Sequence, residues 1–445
     1  MDVADYGAVS LLTSMGVLVA VLLGGALDQA VFRWTIPSRF DELGRSVIRS
    51  AWWWLAIWVP LICILGGLAL WLLDMPILQI SSRLWALEVV AAGFNAFVSS
   101  FALPQARAQQ ALQRFVTVAG TYIVSLLAGK TVLVIVFQGG PWGWVFSDLF
   151  AALLSFAVGV SVSQRPLDRI TRAGVRRVLR FSVPLLPHVV SFWALSALTR
   201  PLIALSLPLS AVGVFSASFN AASVGLMILA EVNRATAVEY SRDKFPAPSS
   251  ETAKAIRLQY SMAFAVAVVI CLSAPLYTHF VLPPVYSEAL PLLVVLSLAS
   301  VFYGLYLIPM NFIVQTAGVT KWSWVGSSAG TVVILLGALW GGAIGGLMTV
   351  AIVNVAGYAV MCASAIVLLR AMKLEVKWAQ GGITPATALP LVVGLSFVMT
   401  SQLIPIGIAW SVTGAFVGSA LIIAAIAWQY LGNPGTSIPA ADAPA

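Results

Sequence analysis

The sequence predicts an all-α polytopic membrane protein with about 13 transmembrane helices, and three observations lead to this prediction. First, 60% of the 445 residues are apolar and only 9% are charged, whereas a soluble domain carries roughly 25% charged residues. Second, apolar runs of about 20 residues, the length that crosses a bilayer, recur along the chain. Third, the segments between these runs alternate between cation-rich and cation-poor, as a protein that crosses the membrane repeatedly requires.

Thirteen segments have the length and composition of spanning helices, and we letter them A to M. Their approximate limits are A 8–32, B 48–73, C 82–104, D 115–137, E 142–163, F 181–203, G 211–232, H 257–280, I 287–313, J 322–340, K 343–369, L 384–404 and M 407–430. The final stretch, "LGNPGTSIPAADAPA", is rich in Pro and Ala, which predicts a disordered tail over 431–445.

The distribution of basic residues predicts the topology. Alternate loops carry four, two, six, five, one and three basic residues, which is 21 of the 24 lysines and arginines. The other three are Arg83, Lys130 and Arg200. Because basic loops stay in the cytoplasm, we expect a cytoplasmic C-terminus. Thirteen crossings then place the N-terminus outside, although "MDVADYG" lacks the basic stretch of a signal peptide.

The longest basic loop, "RPLDRITRAGVRRVLR" at 165–180, has an amphipathic pattern. Arg169, Arg172, Arg176 and Arg180 recur at i, i+3, i+7 and i+11. This spacing predicts an interfacial helix that lies against anionic headgroups and links two halves of the protein. A plain topology anchor is the alternative interpretation.

A weak internal repeat suggests two related lobes. Asp28 lies 21 residues after Gly7, and Arg234 lies 21 residues after Gly213, in the helices that open and close similarly. The repeat leaves five helices in the first lobe and six in the second, so we expect that a first helix is missing from this chain. The predicted domains are an N-terminal lobe of helices A–E (1–164), the basic linker (165–180), a C-terminal lobe of helices F–K (181–372), two additional helices (383–430) and the tail (431–445).

Three stretches, which begin "DYGAVSLLTS", "LRFSVPLLPH" and "LPPVYSEALP", resemble the bacterial polysaccharide flippases of the multidrug/oligosaccharidyl-lipid/polysaccharide exporter superfamily, and the last of them is similar to the family's tenth helix. "DYGAVSLLTSMGVLVAVLLGGALDQAVFR" is similar to the second helix of that family, with Gly25, Asp28 and Arg33 in its closing pattern of a small residue, an acid and a base. "LRFSVPLLPHVVSFWALSALTRPLIALSLPLSAVGVFSASFNAAS" is similar to its seventh and eighth helices. Thr199 departs from the pattern, since the family often has Asp there. The matching positions of this second stretch are Pro184, Pro187, Arg200, Gly213, Phe215 and Ser216.

The resemblance implies two pseudo-symmetric lobes around a central cavity, usually built from fourteen helices. It further implies a transporter that flips polyprenyl-pyrophosphate-linked oligosaccharide across the bacterial inner membrane by alternating access, for the synthesis and export of a surface polysaccharide such as exopolysaccharide or O-antigen. The implied partners are the lipid-linked oligosaccharide, membrane lipids and other assembly proteins, with no nucleic acid and no cofactor. A cation-coupled multidrug exporter of the same superfamily is the alternative.

An enzyme is the alternative from another class, and the loops disfavour it. A membrane glycan polymerase or ligase needs a sizeable outer loop with catalytic groups, whereas the outer loops here have about ten residues and no cluster of His, Asp and Glu. "AGKT" at 128–131 is not a nucleotide-binding loop, because Val124 stands where that motif needs Gly. Three cysteines in apolar runs, Cys63, Cys271 and Cys362, have no metal-ligand spacing, so no metal site is predicted.

Four residues are predicted to bind substrate: Lys130, Arg200, His188 and Trp193. A lysine in the middle of a spanning helix costs roughly 2.5–3.5 kcal/mol on insertion scales, which favours a cation that faces a wet cavity. Snorkelling to the interface is the alternative for Lys130 and for Arg200, and a structural role is the alternative for His188. Pro184 and Pro187 predict a bent helix that faces a cavity.

Six residues are predicted to act in ion coupling or gating, because charged groups inside a membrane usually serve function. Glu88 and Asp148 are the candidates for coupling. The other four form two groups at cytoplasmic helix ends, where pairing within the helix or gate contacts are both open. The six are Asp28, Arg33, Glu88, Asp148, Glu231 and Arg234. Aromatic side chains predicted to stack on sugar are Trp53, Trp54, Trp193 and Tyr303.

Overall fold

A computed structural model of the chain describes residues 1–36, 42–164, 170–319 and 321–403, with the single residues 413, 417 and 420 beyond them. These ranges are almost entirely helical, apart from a short antiparallel hairpin of β1 (Pro76–Ile77) and β2 (Ile80–Ser81). The helices are α1 (Val3–Gly24), α2 (Leu27–Thr35), α3 (Glu42–Trp53), α4 (Val59–Leu73), α5 (Ser82–Phe97), α6 (Leu103–Ala108), α7 (Leu112–Lys130), α8 (Gly140–Val162), α9 (Arg172–Ser182), α10 (Leu186–Trp193), α11 (Thr199–Ser206), α12 (Leu209–Arg242), α13 (Ser250–Leu276), α14 (Ala289–Asn311), α15 (Ser323–Ala371) and α16 (Pro385–Leu403).

The predicted all-α polytopic membrane fold is confirmed. In the part of the chain that the structure describes, eleven helical segments are long and apolar enough to cross a membrane. They correspond to predicted helices A–K. Helices J and K both lie in α15, which contains two spans, Ser323–Gly342 and Ile344–Ala371, and has non-helical backbone at Gly346 with φ of 65°. Predicted helix L is present as α16, although its apolar part, Thr387–Ser401, is shorter than a full span. Predicted helix M, the tail and residues 165–169 of the linker lie outside the described residues.

Helix A is shorter than predicted, because the α-helix ends before Gly25 and a second helix begins at Leu27. Gly25 and Ala26 both adopt the left-handed conformation, with φ of 57° and 54°. A left-handed residue ends the hydrogen-bond ladder of a helix, and Gly adopts it without the steric penalty of a Cβ atom. Predicted helix A over 8–32 is therefore two helices, α1 and α2. Asp28 lies in the first turn of the second one.

In the described residues, six short π-helical segments interrupt the spanning helices, and three of them lie shortly before a proline. The segments Trp54–Trp58, Val98–Ala102 and Ala194–Leu198 precede Pro60, Pro104 and Pro201. A proline has no N–H to donate to the preceding turn, so the turn widens locally instead of breaking the helix. The other three are Thr131–Val136, Tyr277–Val281 and Phe312–Thr316.

The two prolines of helix F lie where the regular α-helical pattern is interrupted, and the bend predicted from them stays a prediction. Pro184 lies in a 3₁₀ turn, Val183–Leu185, which separates α9 from α10. Pro187 then occupies the first turn of α10, where a missing N–H is tolerated.

Two compact units divide the chain by internal packing. The first contains Met1–Ser216 and Gly330–Val353, and the second contains Ala217–Ala329 and the chain from Asn354. In the first unit, Trp52, Phe97 and Phe101 form a buried aromatic cluster. In the second unit, α13 packs along α14. The boundaries fall inside α12 and α15, and the lobe limits predicted from the sequence stay a prediction.

Two glycines singled out as repeat positions pack against each other in the first unit. A Cβ atom on Gly7 would overlap the carbonyl oxygen of Leu209, and one on Gly213 would overlap the carbonyl oxygen of Val3. The backbones of α1 and the start of α12 therefore approach more closely than any larger residue allows. Small residues permit such close helix contacts in membranes, where packing drives helix association.

Substitution of Gly7 by Ala should destabilise the protein. The added methyl group forces backbone shifts, which typically lower the free energy of unfolding by about 1–3 kcal/mol. Gly120→Ala in α7 is the matched control, since nothing lies within 4 Å of a Cβ atom there. Thermal unfolding of the purified protein in detergent measures both. Equal melting temperatures for the two variants would contradict the close approach of α1 and α12.

Candidate functional site

The first unit contains a cavity of about 450 Å³ that collects most of the charged residues predicted at membrane depth. Its walls come from α1, α2, α5, α7 and α8, with the π-helical segment Val98–Ala102 and one residue from α10. The polar and charged side chains that matter for its chemistry are Asp28, Glu88, Asn95, Tyr122, Lys130 and Asp148. Four of these six were predicted as site residues from the sequence, in two separate groups.

Close packing of α7 on α8 places Lys130 at the cavity. A Cβ atom on Gly129 would lie 3.1 Å from the Cβ atom of Ser147, so the two backbones are near contact at this level. The neighbouring side chains then meet: Lys130 Nζ lies 3.1 Å from Asp148 Oδ1. The same ammonium lies 3.5 Å from the ring centroid of Trp144, a cation–π contact. Two groups of α8 therefore hold the ammonium, and snorkelling to the interface stays the alternative prediction for Lys130.

Glu88 brings a second carboxylate to the cavity wall. It projects from α5 against Gly16 of α1, where a Cβ atom would crowd its carboxyl group. Glu88 is only 6% exposed. Its Oε2 atom and the Oδ2 atom of Asp148 are buried, and neither has a hydrogen-bond partner among the described residues. Each carboxylate thus keeps one acceptor atom uncommitted.

This arrangement supports two kinds of chemistry. Lys130 can bind an anion if it exchanges its carboxylate partner for the oxygens of a ligand. The two acids can bind a proton or a cation, since a buried carboxylate is stabilised by either. No group of three or more His, Cys, Asp and Glu side chains suited to a metal ion occurs within the described part of the chain.

Two cavity residues were missed by the sequence analysis, although helical spacing carries a signal for both. Tyr122 precedes Lys130 by eight residues on α7, and Asn95 follows Glu88 by seven residues on α5. Residues spaced by seven or eight lie on the same face of an α-helix, so each shares the face of a predicted site residue. Polarity alone did not single them out among many uncharged polar residues.

Arg200 lies elsewhere in the first unit and is buried. Its side chain donates to Ser216 Oγ over 3.2 Å and to the carbonyl oxygen of Ser196 over 3.0 Å. The residue is 8% exposed and does not line the cavity of Lys130. In this structure the guanidinium therefore ties α11 to the start of α12.

Trp193 and His188 pack within α10 and its neighbours. Trp193 is 8% exposed, and its indole N–H donates to the carbonyl oxygen of Ser14 over 2.8 Å. The imidazole of His188 meets the ring of Phe192 edge-on at 4.8 Å between centroids. The structure therefore does not bring these two residues into the cavity with Lys130. Their predicted roles at the substrate stay predictions.

The two predicted pairs at helix ends differ from each other. Arg234 forms an ion pair with Glu231 one turn earlier, so local pairing is present in the second unit. In the first unit, Asp28 accepts a hydrogen bond from Gln29. The guanidinium of Arg33 instead lies over two aromatic rings, 5.2 Å from Phe181 and 5.7 Å from Trp34.

The other aromatic residues proposed to stack on sugar have intramolecular contacts. Trp54 donates its indole N–H to the carbonyl oxygen of Leu23 over 2.7 Å. Trp53 lies beneath the guanidinium of Arg49, 5.2 Å from its ring centroid. In the second unit, the ring of Tyr303 lies 6.4 Å from those of Tyr306 and Tyr358.

The fold and the site together define a class: a polytopic helical membrane protein with a charged cavity inside one of its units. The model of the family described as "Polysaccharide biosynthesis protein" matches residues 1–282. This match covers more than half of the chain, which therefore belongs to that family. The resemblance inferred from the sequence is confirmed at this level. No curated protein matches the chain by sequence.

Solved structures share the fold at low identity. A lipid II flippase, MurJ, in an inward closed conformation matches with a TM-score of 0.70 and 14% identity, over 96% of this chain and 93% of that one. An inward-facing multidrug resistance MATE transporter of the MOP superfamily matches with a TM-score of 0.62 and 15% identity, over 83% and 93%. A MOP superfamily transporter from Pyrococcus furiosus matches with 0.57 and 13%, over 83% and 87%.

Removal of Lys130 should destabilise the protein, because it leaves Asp148 as an uncompensated charge. Loss of one partner of a buried ion pair lowers the free energy of unfolding by about 3–5 kcal/mol, and the partial exposure of this pair places it near the lower figure. Lys130→Gln tests this, and Lys130→Gln with Asp148→Asn should recover much of the loss. Thermal or denaturant unfolding in detergent gives the coupling energy of the pair.

The ion pair of Lys254 with Glu251 is the matched control. It has the same separation, 3.1 Å, but its side chains are 59% and 57% exposed. The same cycle of substitutions there should change stability by about 0.5 kcal/mol or less. A coupling energy at Lys130 as small as that at Lys254 would contradict a buried role for the pair.

Proposed function

We propose that the protein is a flippase that moves polyprenyl-pyrophosphate-linked oligosaccharide outward across the bacterial inner membrane, by alternating access. The observation that carries this proposal is a lysine kept in a polar cavity of a spanning helix bundle, in a member of a polysaccharide biosynthesis family. The shared fold with a lipid II flippase supports it, because the substrate named for that protein is lipid-linked. The basic loops support a cytoplasmic C-terminus.

Lys130 is the residue that holds the pyrophosphate in this proposal. A phosphate oxygen takes the place of Asp148 Oδ1, because an ammonium can bind either anion in similar geometry. Asp148 then shares the cavity with Glu88 and has no cation. Two carboxylates in a poorly solvated site cannot both remain charged at low cost, so one takes up a proton.

Substrate binding and proton binding are therefore coupled through one ion pair. The groups that face Asp148 in the cavity are Lys130 and Tyr122 on α7, Glu88 on α5 and Asp28 on α2. Protonation of Asp148 or Glu88 weakens the electrostatic attraction between these acids and the Lys130 ammonium, which can then bind an anion. The sign follows: as the pH falls, the anionic headgroup binds more tightly.

Arg200, His188 and Trp193 are assigned supporting roles in the same proposal. Trp193 fastens α10 to α1, whose Gly16 contacts Glu88. Arg200 fastens α11 to α12. Movements of α10 and α11 during transport would expose these side chains to the glycan or the phosphate.

A cation-coupled multidrug exporter is the second candidate, and the balance of charge in the cavity favours it. Three acids, Asp28, Glu88 and Asp148, accompany one lysine there. With all of them ionised, the cavity is net negative and attracts cations. The MATE transporters that share the fold are described as multidrug resistance proteins.

Lys130→Gln should abolish export of surface glycan while the protein stays in the membrane. The reason is loss of the cation that binds pyrophosphate, and Lys130→Arg should retain part of the activity. The measurement is surface glycan in a deletion strain complemented with each variant at matched protein levels. Lys254→Gln, which removes an exposed lysine, is the control and should export normally.

The same strains separate the two candidate functions. A drug exporter would lose ethidium efflux in Glu88→Gln or Asp148→Asn and would leave surface glycan unchanged in every variant. Normal glycan export by Lys130→Gln at ordinary protein levels would contradict the proposal that this cavity binds the substrate of a flippase.

The coupling predicts a pH dependence that the acids carry. Binding of inorganic pyrophosphate to the purified wild-type protein should strengthen as the pH falls from neutral to acidic. The double variant Asp148→Asn, Glu88→Gln should bind pyrophosphate tightly at both neutral and acidic pH, because neither carboxylate remains to compete for Lys130. Isothermal titration calorimetry measures the affinities. A second measurement is the rate of flipping in vesicles with the wild-type protein. If neither an imposed ion gradient nor an uncoupler changes this rate, transport is not coupled to a gradient.

A further inference from the structure

The amphipathic helix α9 presents two faces that differ in what they contact. Gly174 and Val178 are buried, and Gly174 packs so closely on Ser46 of α3 that a Cβ atom would overlap the serine hydroxyl. Thr171 caps the helix: its Oγ1 accepts from the N–H of Gly174 over 3.0 Å and shares a 2.8 Å hydrogen bond with Ser46 Oγ. One face of α9 is therefore fixed on α3.

The opposite face carries a shallow groove of about 640 Å³ that none of the proposed transport steps uses. Arg172, Arg176 and Arg180 lie along it at i, i+4 and i+8, so they form one stripe on the helix. Exposed Val175 and Leu179 lie beside this stripe, with exposed fractions of 38% and 54%. None of the three arginines has an acidic partner in the ranges that the structure describes.

Arg177 differs from its neighbours in the same helix. It lies on the flank toward α2, with its guanidinium 6.0 Å from the ring centroid of Trp34, and it does not line the groove. Four arginines therefore divide into three that share an open groove and one that packs on the protein. A simple topology anchor would not require this division, since it depends only on the number of charges.

We propose that the groove of Arg172, Arg176 and Arg180 binds the phosphate of an anionic phospholipid of the cytoplasmic leaflet, with Val175 and Leu179 against its acyl chains. The charges are complementary, and guanidinium groups bind phosphate oxygens bidentately. The apolar side chains beside them suit a lipid and not a free phosphate. α9 forms the first part of the candidate span Arg172–Ser206, and in this proposal its groove lies at the level of the lipid headgroups.

Lipid binding here would affect the position of α10, because α9 continues directly into it. α9 is held on α3 at Thr171 and Gly174, and it continues through the 3₁₀ turn into α10. A lipid bound along the stripe fixes the orientation of α9, and with it the start of α10. This site is separate from the cavity of Lys130, so the two proposals stand or fall independently.

The test uses the purified full-length protein and a soluble short-chain lipid, dioctanoyl phosphatidylglycerol, with dioctanoyl phosphatidylcholine as the neutral probe. The triple variant Arg172→Gln, Arg176→Gln, Arg180→Gln should bind phosphatidylglycerol at least tenfold more weakly than the wild type. Each arginine near an anionic surface contributes about fivefold. Arg177→Gln changes the net charge of the same helix and should bind as the wild type does. Affinities come from microscale thermophoresis, with circular dichroism to verify that each variant is folded.

Two further measurements identify the ligand, one with a variant that lacks the apolar side chains and one with a headgroup that lacks acyl chains. Val175→Ser with Leu179→Ser leaves every arginine in place and should still weaken phosphatidylglycerol binding, whereas glycerol phosphate, the headgroup without chains, should bind the wild type much more weakly than the lipid. The site is overturned if Arg177→Gln weakens binding as much as Arg176→Gln alone, or if phosphatidylcholine binds as tightly as phosphatidylglycerol. Equal binding of glycerol phosphate and the lipid would also overturn it.

Discussion

The ion pair of Lys130 with Asp148 is the interaction around which the first unit is organised. An unpaired lysine at that depth would cost roughly 2.5–3.5 kcal/mol, so the chain needs an anion beside it. The contact requires α7 and α8 to approach closely, which Gly129 and the small side chain of Ser147 permit. Glu88 lines the same cavity, and one carboxylate oxygen of Glu88 and one of Asp148 are buried without a hydrogen-bond partner in the described structure. Packing, charge and cavity are thus consequences of one constraint.

Stability alone does not explain why such a pair is kept. Well-packed apolar residues in place of a buried ion pair are often neutral or stabilising by about 1–4 kcal/mol. Small residues against a cation also leave a cavity, which removes packing contacts that larger apolar residues would supply. A pair with uncommitted acceptor atoms, open to a cavity, fits a site whose partners are exchanged during function. If the site acts as proposed, Gly129 serves it as well as the fold, since it permits the close α7–α8 contact.

Most of the fold could be predicted from hydropathy, because a bilayer of fixed thickness imposes a length on every spanning segment. The limits of helices B–E and I–K agree with the structure to within a few residues. Helices F, G and H run past their apolar windows, with spans Arg172–Ser206, Leu209–Arg242 and Ser250–Val281. Helix A was wrong at Gly25 and Ala26, since a pair of left-handed residues leaves no mark on hydropathy. The π-helical segments were also missed. A proline inside a spanning helix indicates a disturbance but not which hydrogen bonds replace those lost.

The members of the candidate site could be predicted more readily than their grouping. Lys130, Glu88 and Asp148 stand out individually, because each is a charge in an apolar run. The sequence predicted Lys130 and Arg200 as substrate-binding residues alike, whereas in the structure only Lys130 of the two lines the cavity. Lys130 and Asp148 precede and follow the turn at Gly139 by nine residues each, and equal spacing about a short turn brings two antiparallel helices together at that level.

Arg200 and Trp193 show why polarity inside a membrane is a weaker guide to a site than an uncommitted polar atom. Both are polar groups in an apolar helix, and both are buried with hydrogen bonds to neighbouring helices. Such bonds satisfy groups that lipid cannot, so they are expected wherever irregular helices meet. Glu88 and Asp148 differ, because each retains an oxygen without a partner in the described structure. A buried acceptor of this kind is costly unless a ligand or a proton satisfies it, and the proposed transport cycle supplies such a partner at the cavity.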